Sequence, residues 1–311
     1  MGKRLLRGDI ALFMVTLIGM LTPGLSQACG CGCSLFDVRT GSMLPSTGEG
    51  GVAFLEYNFV NQDRNWSGSS SAPSADNSDK QIRTEFYTLG IQYMFNQQWG
   101  AVVEVPYENR IFKTDGGGGS IVRVRHEGVG DVRIKGIYSG FSPDMSSGLT
   151  FGLKLPTGDH DKPGFDRDTQ IGTGSTDILL GGFLRGTVPG IKRWDWFLTG
   201  QLDQPALTTR EYRPGAELNG VAGIYYRGWN LGGVKIVPVA QAIGSHHWRD
   251  CGSEANFADS GYDRILLSPG VEFHMNAVSL YADVALPVYQ NVNGDQLTAQ
   301  EIFTLRMSYS F

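Results

Sequence analysis

Cysteine is scarce in this 311-residue chain: three of its four cysteines crowd into Cys29-Gly30-Cys31-Gly32-Cys33, and Cys251 stands alone far downstream. The body of the protein is therefore not a small scaffold stapled by disulfides. Charge is also thin, at 18% of residues, and the formal net charge of −5 argues against a nucleic-acid partner. Long apolar runs are missing beyond the N-terminus, where nothing approaches the roughly 20 continuous apolar residues of a membrane helix. Histidine is limited to His126, His160, His246, His247 and His274. None sits in a recognisable nucleophile motif of the kind Ser-His hydrolysis needs, so a barrel phospholipase is disfavoured and the chain reads as a non-enzyme. The Cys-x-x-Cys-His signature of covalent haem is absent as well.

Glycine and aromatic residues are what abounds, with 43 Gly, 16 Phe and 12 Tyr. That mixture fits many strands separated by turns better than a helical enzyme. Residues 1–28 read as a secretory signal. Lys3, Arg4 and Arg7 form the basic start, positions 10–21 the apolar run, and Ser26-Gln27-Ala28 the cleavage site. Removing this segment leaves a net charge of about −7 and Cys29 at the new N-terminus. Cys29 then occupies the position a lipoprotein would acylate, but Ser26 and Gln27 are poor residues for that signal. The expected organisation is a signal peptide (1–28), a Cys-rich segment that is periplasmic or plugs a lumen (29–49), and a β-barrel (50–311).

Alternation argues for the barrel. At the C-terminus Phe303, Leu305, Met307, Tyr309 and Phe311 face one way, and Thr304, Arg306, Ser308 and Ser310 face the other. Nine residues with period 2 suffice to cross a bilayer as a tilted strand. A soluble edge strand would carry a charge or proline on that apolar face for protection, and this one carries neither. A final aromatic in such a strand also resembles the signal read by the barrel assembly machinery. The same pattern recurs in Leu149/Phe151/Leu153 against Thr150/Lys154, and in Trp99/Val103/Tyr107 against Glu104. About twelve strands are expected, an even number, joined by alternating short and long links. The long links are 61–80, 113–128, 157–174, 205–214, 245–260 and 290–299, polar or low in complexity and so expected to be mobile. This asymmetry predicts an all-β, antiparallel, up-and-down transmembrane barrel in the outer membrane of a Gram-negative-type cell. Short turns and both termini would lie in the periplasm, and aromatics such as Trp99, Trp194 and Trp196 would meet the lipid interface.

The charges fall on the opposite face, the expected lumen. They are Glu56, Glu104, Arg133, Lys135, Lys154, Asp177, Arg185, Asp195, Lys235, Glu272, Asp283 and Arg306. They could line an aqueous path or pair across it, and a barrel of about twelve strands lies near the border between filled and open.

Three motifs carry a family resemblance: Gly128-Val129-Gly130-Asp131, then Lys154-Leu155-Pro156-Thr157-Gly158, then Gly172-Thr173-Gly174-Ser175-Thr176-Asp177. In this order, over about 80–290, they resemble the outer-membrane family named for the meta-pathway of phenol degradation. The resemblance implies a transporter-type barrel for small hydrophobic or aromatic molecules. Read as residues, Pro156 ends a strand, Gly158 and Gly172 supply positive φ, and Asp131 and Asp177 point inward to pair with Lys154 or Arg133. Those are architectural duties. The cysteine cluster lies outside the resemblance.

Cys29, Cys31 and Cys33 could converge on a soft metal such as Cu(I) or Zn, or dock a redox partner, whereas an oxidising periplasm favours disulfides instead. Cys251 could join them only if the N-terminal segment threads the lumen. No other cofactor is expected. His246-His247 could bind a metal, but adjacent side chains of an extended chain diverge.

Overall fold

The computed structural model describes residues 50–311. Fourteen strands and two single turns of 3₁₀ helix account for its regular structure. In chain order the strands are β1 (Gly50–Gly68), β2 (Ser70–Ser71), β3 (Asp79–Met94), β4 (Trp99–Asp115), β5 (Ile121–Val129), β6 (Val132–Tyr138) and β7 (Ser147–Leu155). There follow β8 (Thr176–Thr187), β9 (Trp194–Leu207), β10 (Glu217–Tyr226), β11 (Trp229–Leu231), β12 (Val234–His247), β13 (Tyr262–Met275) and β14 (Val278–Ser310).

Eleven of these close a ring in the order β1-β3-β4-β6-β7-β8-β9-β10-β12-β13-β14, with β14 returning to β1. The short strands β2, β5 and β11 stand outside it. Every pairing is antiparallel. The fold is thus the closed antiparallel barrel that alternation and loop asymmetry predict. The strand count has a physical footnote in β14. Its 33 residues would extend for on the order of 110 Å, far beyond any bilayer. Instead Val278–Val292 pairs with β13, Val292–Ser310 pairs with β1, and Ser310 N donates to Ala277 O at 2.8 Å. The strand doubles back at Gly294, where φ is +60°, so the wall has twelve legs.

Side chains sort by parity as the sequence predicts. Phe303, Leu305, Met307, Tyr309 and Phe311 are exposed on the outer face, while Thr304 and Arg306 are buried. Leu89, at 61% exposure, typifies the outward apolar belt. Tyr57, Tyr87 and Tyr107 stand directly opposite one another along its upper edge, and Trp99, Trp194 and Tyr309 mark the short-turn edge. A row of directly opposed glycines, Gly182, Gly200, Gly220 and Gly244, crosses four adjacent strands on this face. It floors a trough of about 1110 Å³ walled by Leu149, Leu184, Leu198, Leu218 and Tyr289.

Two expected loops prove to be strand. β5 pairs with β4 from Tyr107↔Val129 to Asp115↔Ile121, so most of 113–128 is a hairpin turning at Gly117, Gly118 and Gly119, all with positive φ. Likewise the pairing of β14 reaches into 290–299 from both sides of the turn at Gly294.

Candidate functional site

The lumen is built from inward residues of the ring, and most of the predicted charges meet partners there. Lys135 Nζ lies 2.8 Å from Glu104, with both side chains almost wholly buried. Lys154 pairs with Asp177, its direct cross-strand neighbour on β8. Arg306 reaches Glu56 at 3.6 Å across the β1–β14 register and lays its guanidinium over the Phe54 ring. Asp195 is held by two 2.8 Å hydrogen bonds from Arg227. Asp283 accepts from Tyr281 Oη at 2.7 Å and Gln241 Nε2 at 3.0 Å. Partly buried Arg185 donates to Asp144 O at 3.3 Å near a short turn, and Glu272 sits 3.3 Å from His274. Arg133 faces the chamber described below. Lys235 keeps the inward phase of Val237 and Val239 on β12 but is exposed at the short-turn end, beside the Gly232-Gly233 turn.

Between the charges lies an apolar lining that includes Val60, Phe86, Phe197, Val221, Leu266, Tyr281 and Ile302. An ion pair in such surroundings survives only because each charge compensates the other's loss of water. The interior is therefore mixed, ionic pairs set among aromatic and aliphatic side chains.

The three sequence motifs converge at the long-loop end. Asp131 Oδ1 accepts from Gly158 N at 3.0 Å, and its Oδ2 accepts from Thr173 N at 2.9 Å and Thr173 Oγ1 at 2.6 Å. One carboxylate of the first motif thus ties together both ends of the loop 157–175. Thr157 Oγ1 adds a 2.7 Å bond to Gly130 O, and Ser175 Oγ one of 2.6 Å to Asp177. The expectation that Asp131 would pair with a lysine or arginine is corrected: it serves backbone and hydroxyl donors. So is the expectation of positive φ at Gly158 and Gly172, since neither has it. Their role is close approach. A Cβ on Gly172 would lie 2.2 Å from Gly158 O, so only glycine lets the neck of the loop close.

Beyond this neck the loop turns into the mouth. Phe165, Asp168, Thr169, Gln170 and Ile171 are buried there. Arg110, completely buried on β4, donates to Thr169 O at 2.6 Å and Gln170 O at 2.7 Å, while holding Glu108 at 2.9 Å and Thr84 at 3.0 Å. Two further mouth segments meet the loop. Tyr212 donates to Asp250 at 3.0 Å, and the Arg167 guanidinium stacks 4.2 Å over the Tyr212 ring. Beneath them a polar chamber of about 60 Å³ remains, enough for roughly four to six waters. Burial, and then the Asp250 carboxylate, push the Asp168 carboxyl up to about 8. Burial holds His126 below its ordinary value, although Asp159 sits 3.1 Å away.

Parity reasoning had the means to find Arg110 and Glu108, which continue the inward phase of Glu104 on β4. Asp168 and Asp250 carry no such phase, because loop residues are positioned by tertiary contacts. Cys29, Cys31 and Cys33 lie outside the described residues. Cys251 is exposed among the long loops, its backbone bridged to Arg213, and no group of three metal-binding side chains occurs among the described residues. His246 and His247 do diverge: His246 Nδ1 lies 2.6 Å from Asp263, and His247 stacks on Tyr262.

No family model matches the chain, and no curated protein matches it, so the family resemblance stands on its three motifs. Solved structures do match. An outer membrane channel from Pseudomonas putida F1 aligns over 88% of this chain and 100% of its own, at 12% identity and a TM-score of 0.65. The β domain of the Bordetella autotransporter BrkA aligns over 85% of this chain and all of its own, at 14% identity and a TM-score of 0.51. At these identities the likeness is one of fold: this chain is an all-β barrel of the kind those two structures share.

Proposed function

We propose that this protein is an outer-membrane channel that moves a small apolar or aromatic molecule through its lumen, without transforming it chemically. The observation that carries the reading is the pairing of a closed wall, apolar outside, with a mixed interior shut at one mouth by a folded-in loop. A wall of this kind is stable only in lipid, since rows such as Leu89/Ile91, Leu149/Phe151/Leu153 and Phe303/Leu305/Met307 would otherwise face water. The Pseudomonas putida protein of like fold is described as an outer membrane channel, which agrees. Membership in the phenol meta-pathway family is part of the proposal, as are removal of residues 1–28, assembly through the C-terminal strand, and a periplasmic short-turn end. The aromatic lining at Phe86, Phe197 and Tyr281 favours an apolar or aromatic solute over an ionic one.

The test is reconstitution in planar bilayers. The intact chain should conduct little, because the loop 157–175 fills the mouth. A variant lacking residues 160–171 should give discrete conductance steps and admit small aromatic solutes into vesicles. No conductance and no flux from that variant would defeat the channel reading.

A further inference from the structure

The loop 157–175 joins two unlike halves. Its neck is fixed by the Asp131 carboxylate and by the touching pair Gly158 and Gly172. Its tip, the 3₁₀ turn Arg167–Thr169, is held by Arg110, which donates to Thr169 O and Gln170 O, and by Arg167 stacked on Tyr212. Asp168 is the only carboxylate at that tip, and its side chain is buried in the chamber.

What surrounds it decides what its ionisation would cost. Glu108 comes from β4, Asp131 and Arg133 from the start of β6, Lys154 from β7, Asp177 from β8, Asp203 from β9, and Glu217 from β10. His247 on β12, Tyr262 on β13, and Tyr212 and Asp250 on the neighbouring mouth segments complete the wall. Arg110 stands beneath the tip and Arg167 beside it. Lys154 is already engaged by Asp177, and Arg110 by Glu108 and two carbonyls. Six acidic side chains therefore share the chamber with Arg133 and Lys154, and a further negative charge there is poorly served.

We propose that the loop 157–175 is a proton-responsive hatch: its tip stays docked while the Asp168 carboxyl holds a proton, and swings out of the mouth when that carboxyl ionises. The inference rests on the channel reading and names its regulation. The sign follows from linkage. Asp168 is raised to about 8 when docked and returns to an ordinary carboxylate value near 4 when released, so docking is fully favoured below about 4 and loses ground until about 8. Burial raises Asp166 on the same loop, and burial and then the Asp166 carboxylate push the facing Asp79 of β3 up to about 8, so this pair adds to the effect. His126 opposes it. Held below its ordinary value while packed against Phe165, it favours release only as pH falls below about 6.5. The window in which these aspartates act unopposed is therefore about 6.5 to 8.

Arg167 provides the readout, since it is a trypsin site on this loop, whereas Lys162 precedes Pro163 and is not cut. The full barrel in liposomes would be digested at pH 6.5 and pH 8.5, with trypsin activity normalised on a free peptide. Cleavage after Arg167 should rise with pH, by at most roughly tenfold per unit for each aspartate that ionises, and level off above about 8. Asp168→Asn, neutral and nearly isosteric, should lose most of that rise, keeping only the part that Asp166 and its partner Asp79 carry. Conductance of the wild-type barrel should rise in parallel. Equal cleavage of the wild type at the two pH values would overturn the hatch, and so would an Asp168→Asn variant that opens with pH as the wild type does. The variant lacking 160–171 separates the two claims. If it conducts at every pH while wild-type cleavage ignores pH, the channel stands and the hatch falls; if it never conducts, the channel reading fails while the digestion still judges the hatch.

Discussion

Glu104 and Lys135 show how single residues make this interior. Each is buried and 2.8 Å from the other, so removing one strands its partner in a place without water. Glu104→Gln should destabilise the barrel by about 3 kcal/mol, and adding Lys135→Met should recover most of that loss. The check is the denaturant midpoint at which the folded band disappears on unheated gels. A double variant no more stable than either single one would mean that the pair is not coupled. These positions were readable from sequence because parity alone assigns them to the inner face. Asp168 was not, since nothing in the run Asp166-Arg167-Asp168-Thr169 announces that one of two aspartates goes inside.

Among elements, the alternation rule failed at β5, and the failure is instructive. Arg123, Arg125 and Glu127 point outward there and are exposed. β5 stands beyond the Tyr57–Tyr87–Tyr107 row, where outside means water, so an apolar outer row is no longer required. A reading that expects greasy residues outside sees only a polar loop. The glycine row Gly182–Gly244 escaped for another reason: its members are scattered through the sequence and only the register brings them side by side. The loop neck is the opposite case, for its three motifs were visible and only their convergence was not. Gly172→Ala places a methyl 2.2 Å from Gly158 O and must spread the neck. Trypsin should then cut the loop at pH 6.5, where the wild type resists, with the barrel band unchanged on unheated gels. Continued resistance would show that the neck tolerates widening.

The molecule as a whole is a cylinder whose stability depends on its solvent. Leu89 lies on the lipid side of β3, two residues below Tyr87 of the upper row and four from Tyr93 toward the short-turn edge. Leu89→Arg should cost about 2–4 kcal/mol in a bilayer. The measurement is the folded fraction in phosphatidylcholine vesicles, and an unaltered fraction would mean that this face does not meet hydrocarbon. The closed sheet, its approximate number of legs and its inner face were all legible in sequence, because lipid and lumen impose period 2 on every strand. The closed mouth was not, since it depends on loops folding back across the ring. The way Asp131 fastens both ends of that returning segment has a mechanical result. With Gly158 and Thr173 fixed to one point, the intervening residues form a tethered lariat whose attachment to the rim does not depend on where its far end lies. Swinging aside would then leave the ladder of the wall intact, and the covering would hang ready at the rim, needing no search to find its seat again.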